Sequence, residues 1–185
     1  MEADWEFEVG PDAPVIAAHW EGFLDLAAHP EQVTKLPEVA DFPQLAETLV
    51  RLNGAGGIAK TSKCDVWQVN LDEEPLDTDE LDAPTDTARA AWAGYIDLTA
   101  HEQRWKNPKE IQQDCAALTT RLHSVALHCC RTDLVIRRAI LAGGEEELGI
   151  TVYFIACGLS EEAAKRVLGD AFHAFADSVL AAWAN

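Results

Sequence analysis

The chain has 185 residues, 48% apolar and 25% charged, with six Trp and six Phe, ordinary proportions for one globular domain or two small fused halves of a common kind. Fourteen Lys and Arg against 32 Asp and Glu leave a formal charge of −18, a surface that repels phosphate backbones and anionic lipid and so excludes nucleic-acid and membrane-surface partners from the expectation. The run MEADWEFEV has no basic and apolar secretory pattern, nothing approaches the ~20 apolar residues of a bilayer span, and five scattered Cys read as reduced thiols, so the expected location is cytoplasmic.

Asp4–Val9 alternates, with Trp5, Phe7 and Val9 on one face and Asp4, Glu6 and Glu8 on the other, which predicts a half-buried strand. GPDAP at Gly10–Pro14 breaks it as a turn, and Val15–Leu26 reads as the next strand, in a plausible hairpin with the first. One helical turn fits between His29 and Pro37. A helix follows over about Phe42–Leu52, with Asp41 as cap, Pro43 in its first turn, a buried stripe of Leu45, Leu49 and Leu52, and Asn53-Gly54 as its stop. Lys63–Val69 is the next strand.

Leu71–Thr87 carries eight acidic residues, two prolines and no basic residue, and is expected to be a solvated, mobile linker. Beyond it come a strand at Ala91–Thr99 and a helix at Pro108–His123, capped by Asn107 and striped by Ile111, Cys115, Leu118 and Leu122. Strands at Arg131–Leu141 and Leu148–Cys157 are joined at Gly143-Gly144. The last helix is capped by Ser160 and buries Ala164, Leu168, Ala171, Phe172, Phe175, Val179 and Trp183.

One phrase occurs nearly twice. WEGFLDLAAH at Trp20–His29 returns as WAGYIDLTAH at Trp92–His101, with six of ten positions identical, which suggests two copies of one supersecondary unit. The fold expected is therefore a single α+β domain over residues 1–185, a mainly antiparallel sheet of about six strands with three helices. Its core would be ferredoxin-like, built from two tandem strand–helix–strand repeats at about 15–70 and 88–141, with the acidic linker 71–87 between them and a strand and helix over 147–185 closing it.

The repeated Asp25, His29, Asp97 and His101 are the first candidates for chemistry, because two Asp and two His brought together would suit a divalent metal. In a ferredoxin-like core the ends of the two strands point to opposite edges, so a backbone-satisfying corner is the preferred role, and no metal or cofactor is assigned. GAGGIAKT at Gly54–Thr61 approaches a phosphate-binding loop but has Ala59 in place of a glycine and follows a helix rather than a strand. His123, His128, Cys129 and Cys130 cluster without zinc spacing. Asp77-Thr78-Asp79 lacks the Gly and Glu of a calcium loop. Arg131, Arg137 and Arg138 are expected to pair with the acidic linker.

No nucleophile–base or metal signature is complete. The leading expectation is a non-catalytic binding or adaptor protein with a protein partner, a homodimer being compatible. The alternatives are a metal-binding protein or enzyme using the repeated Asp and His, and a small-molecule sensor with a pocket between sheet and helices lined by Trp67, Trp92 and Tyr153.

Overall fold

A computed structural model describes residues 1–18, 20, 22–54, 59–100, 104–105 and 107–183. In chain order its elements are β1 (Glu2–Phe7), β2 (Val15–Ala17), α1 (Pro43–Asn53), β3 (Ala59–Gln68), β4 (Ala90–Ala100), α2 (Pro108–His123), β5 (Cys130–Ile140), β6 (Glu146–Gly158) and α3 (Glu161–Trp183), with short 3-10 turns at Pro30–Lys35, Pro37–Val39 and Asp79–Leu81. The class is α+β. The strands form one six-stranded sheet in the order β1-β5-β6-β4-β3, with β2 lying beside β5 beyond the end of β1.

The sheet is mixed rather than mainly antiparallel. β3–β4, β4–β6 and β6–β5 are antiparallel, whereas β1 and β2 both run parallel to β5. The turn GPDAP explains this. It does not fold a hairpin back on β1. The chain leaves the β5 edge after Phe7, opposite Ile136, and rejoins it at Val15, opposite Arg138. One edge of β5 therefore serves both strands, and β1 and β2 point the same way.

That edge also limits β2. Ala17 lies opposite Ile140, the last residue of β5, and the Ala18 N–H donates to the Ile140 carbonyl at 3.0 Å. Beyond that rung β5 offers no further backbone, so the expected strand over Val15–Leu26 is only three residues long. The following segment closes on itself: Phe23 N–H donates to Trp20 O at 3.1 Å, and His29 N–H to Asp25 O at 2.8 Å. The second copy of the phrase has neighbours on both sides and becomes β4, paired with β3 and β6. The two copies of the phrase thus take up unlike structures: the second opens the unit β4–α2–β5 as a full strand, whereas the first contributes no strand beyond the three-residue β2 that precedes α1 and β3.

Alternation along each strand assigns the two faces of the sheet. Leu134 and Ile136 of β5, Ile150, Val152 and Phe154 of β6, and Ile96 and Leu98 of β4 face the helices and are fully buried. All three helices lie on that face, α3 over β6 and β4 with α1 and α2 packed on either side of it. Aromatic edges lock the layer, with Phe154 centred 4.8 Å from Phe172 and 5.3 Å from Phe175. The expected stripes of α1, α2 and α3 are the buried ones. Asn107 caps α2 through its side chain, accepting from Glu110 N–H at 3.1 Å. Phe42, not Asp41, occupies the cap position of α1, without a side-chain hydrogen bond.

The acidic linker is anchored rather than free. Leu81 is 2% exposed in a small second cluster with Val69, Ala91, Ala93 and Cys157, against which Leu71 and Leu76 also pack. Its hydrophobic residues were hidden from a reading by charge alone. No helix among the described residues is long and apolar enough to cross a membrane.

Candidate functional site

Among the described residues the opposite face of the sheet carries no helix. Register places Asp65 and Trp67 of β3, Tyr95 and Asp97 of β4, Thr151, Tyr153 and Ile155 of β6, Arg131, Asp133, Val135 and Arg137 of β5, and Asp4, Glu6 and Glu8 around β1 on this side. Each is there because it alternates with a core residue on its strand. Trp67, Tyr95 and Tyr153 form a row across three strands, with ring centroids 6.4 Å and 6.1 Å apart. Two hollows flank the row. One of about 540 Å³ runs beside Glu6, Glu8, Arg131, Asp133, Arg137 and Tyr153, and one of about 230 Å³ beside Trp67, Glu74, Ala93, Asp133, Tyr153 and Ile155. They share Asp133 and Tyr153, so they form one groove.

The arginines of the groove are already engaged. Arg137 donates to Glu8 Oε2 at 2.8 and 3.2 Å and to the Tyr153 hydroxyl at 3.0 Å, with its guanidinium 5.5 Å from the Tyr153 ring centre. Desolvation works against that charge, but the hydrogen bonds from Arg137 to Glu8 and Tyr153 outweigh it and raise its pKa. Arg131 donates through Nε to both oxygens of Asp133 at 2.9 Å and reaches Glu80 of the linker at 4.0 Å. The expected pairing with the linker therefore holds only for Arg131. Arg137 turns to β1, and Arg138 has no partner among the described residues.

Other groups lack partners of opposite charge. Among the described residues no cation lies over the rings of Trp67 or Tyr95, and neither Glu6 nor Asp65 makes an ion pair. Burial raises the pKa of Asp133, with Arg131 opposing it, and pushes the Tyr95 hydroxyl up to about 12. Tyr95 is thus a neutral donor at physiological pH.

The repeated residues fall in unlike surroundings. Asp25 is exposed and accepts the N–H groups of Ala27 and Ala28 at 3.1 Å each, closing a turn. His29 is 59% exposed at its side chain and lies 3.4 Å from Glu31. Asp97 is 7% exposed and accepts from the Thr151 hydroxyl at 2.6 Å. His101 lies outside the described residues, as do Ala55–Ile58 of GAGGIAKT. No three His, Cys, Asp or Glu side chains gather to hold a metal ion among the described residues.

Trp67 and Tyr153 share the groove, but Trp92 does not join them. It alternates onto the helix face, 5.3 Å from Phe42, with Lys165 4.4 Å from its ring centre. The missed members of the site are Tyr95, Arg137, Asp133 and Glu8. The alternation that puts Tyr95 and Asp97 on one face was visible in the sequence; the neighbours that β6 brings to them were not.

The residues lining the groove's two hollows include no Ser, Cys or His. Elsewhere burial pushes the thiols of Cys64, Cys115 and Cys130 up to about 12 and that of Cys157 to about 11, so they are protonated and weakly nucleophilic at neutral pH. His128 is taken up by Asp82, at 2.5 Å. No family model matches the chain, and no curated protein or solved structure is significantly similar to it.

Proposed function

We propose that the chain is a non-catalytic binding or adaptor protein that holds a basic protein segment along the helix-free face of its sheet. The observation that carries this reading is one sheet face shared by aromatic rings that lack a cation, Trp67 and Tyr95, and carboxylates that lack an ion pair, Asp65 opposite Tyr95 and Glu6 toward the far edge on β1. Arg137 already displays the mode of recognition inside the protein, its guanidinium over Tyr153 and its hydrogen bonds on Glu8. An incoming Arg or Lys would repeat it one strand further on, where cation–π contact contributes about 0.5–2 kcal/mol.

The net charge of −18 favours such a partner over distance and disfavours a second copy of the same chain on this face. The same reading takes β3, β4, β5 and β6 with α2 and α3 as a ferredoxin-like core in permuted order. It is supported by the split unit in which β6 lies between β4 and β5.

Calorimetric titration with a synthetic peptide alternating Arg with Gly tests the proposal. Trp67→Ala is expected to weaken binding roughly tenfold, the loss of one cation–π contact and its packing. Glu145→Gln, which removes a charge from the exposed turn before β6, is expected to leave it unchanged. Equal effects of the two substitutions would reduce the interaction to unspecific charge attraction and overturn the reading.

A further inference from the structure

A second cavity, of about 300 Å³, lies where the first copy of the repeated phrase wraps the edge of β3. It meets the aromatic row at Asp65 and Tyr95 but shares no lining residue with the two hollows, and its walls explain its shape. Between Thr61 and Cys64 the β3–β4 register slips, so Ser62 and Lys63 are left out of the ladder and the edge opens. Ser62 uses its hydroxyl to hold Ala17 O at 2.9 Å, which draws the segment after β2 across to this edge. Leu24, Leu26, Leu36 and Leu49 then supply an apolar lining, and Trp20 stands at the rim with Lys63 5.1 Å from its ring centre.

One polar atom in this lining is out of keeping with it. Glu38 lines the cavity, its Oε2 is buried, and that oxygen has no hydrogen-bond partner. Glu38 also makes no ion pair among the described residues. A buried acceptor left unmade costs about 1–3 kcal/mol, more when charged, so native proteins pair it with something. Lys63, the cation on the wall, lies over Trp20 and makes no ion pair with Glu38. No described side chain satisfies Glu38 Oε2, and a bound group that carries donors or positive charge and brings an apolar body to the leucines would do so.

We propose that this cavity is a binding site for a small organic ammonium ion, an apolar aryl or alkyl group ending in a protonated amine. The ammonium donates to Glu38, and the hydrocarbon part fills the space among Leu24, Leu26, Leu36 and Leu49. A volume of about 300 Å³ is at the small end of ligand pockets, which suits a single ring and a short tail.

Titration of the whole chain with 2-phenylethylammonium, and with 3-phenylpropionate as its charge-reversed counterpart, tests this. The ammonium is expected to bind at millimolar concentration or below, at least tenfold more tightly than the carboxylate. Glu38→Gln is expected to weaken the ammonium about tenfold or more, as loss of a charged hydrogen bond does, while Glu145→Gln leaves it unchanged. Leu24→Trp, which fills the cavity from the side away from the sheet, is expected to abolish binding in a chain whose circular dichroism is unaltered. Absence of binding, equal affinity for the two probes, or ammonium affinity untouched by both cavity substitutions would overturn the proposal.

Discussion

Asp97 is buried at 7% exposure on the helix-free side of β4, with the Thr151 hydroxyl as its hydrogen-bond donor. Burial raises its pKa, opposed by that hydrogen bond and by the charges of Arg137 and Lys63. The folded state therefore holds the proton more tightly than the unfolded chain does. A raised carboxyl pKa favours folding at acid pH and costs stability as pH climbs through the folded value. Asp97→Asn keeps an oxygen for Thr151 and removes the charge. It is expected to raise the melting temperature at pH 7 by roughly 2–4 °C, the response of a domain of this size to about 1 kcal/mol. The gain should shrink toward acid pH, where the native carboxyl is itself neutral, and melting curves across that range check both the sign and the trend. Thr151→Val works in the opposite direction, because it strands a buried carboxylate without a donor; a loss of about 1–3 kcal/mol in urea unfolding is expected.

At the scale of elements, the two glycines of the repeated phrase show how context overrides sequence. Gly94 is hemmed in on β4: an added Cβ would lie 2.7 Å from Asp65 O and 2.9 Å from a Val66 methyl. Gly22 has open space around it but a φ of +92°, which a side chain strains. Gly94→Ala must push β3 away from β4, and overpacking of this kind costs about 1–3 kcal/mol. Gly22→Ala is expected to lose about 1 kcal/mol through backbone strain alone. Chemical denaturation of both variants measures the difference; equal losses would mean that the two copies are held in the same way.

What could be read from sequence was what a segment decides for itself. Helix α2 runs over Pro108–His123 as read, because Asn107, Pro108 and a regular stripe mark it locally. β4, β5 and β6 follow from alternation, and the placement of Tyr95 with Asp97 follows from the same period. The parallel pairing of β1 and β2, and the failure of Trp20–His29 to become a strand, depend on how much edge β5 has to offer. No local pattern encodes that quantity. The same holds for the site: Trp67 and Tyr153 could be named, but the groove exists because β6 lies between β4 and β5 and sets Tyr153 beside both Tyr95 and Arg137.

The whole molecule is asymmetric across its sheet. One face is sealed by three helices and an aromatic core, while the other presents an aromatic row, two internally paired arginines and a surplus of carboxylate. An acidic charge of −18 spread over the chain would attract any cation weakly. This face adds rings and fixed hydrogen-bonding groups that give attraction a direction. Mapping backbone and indole amide shifts by nuclear magnetic resonance during titration with the Arg-Gly peptide tests that claim most directly. Perturbations concentrated at Trp67, Tyr95, Tyr153 and Glu6, with α2 and α3 unmoved, are the result expected. Shifts scattered over the acidic linker and the helices, or none at all, would contradict it.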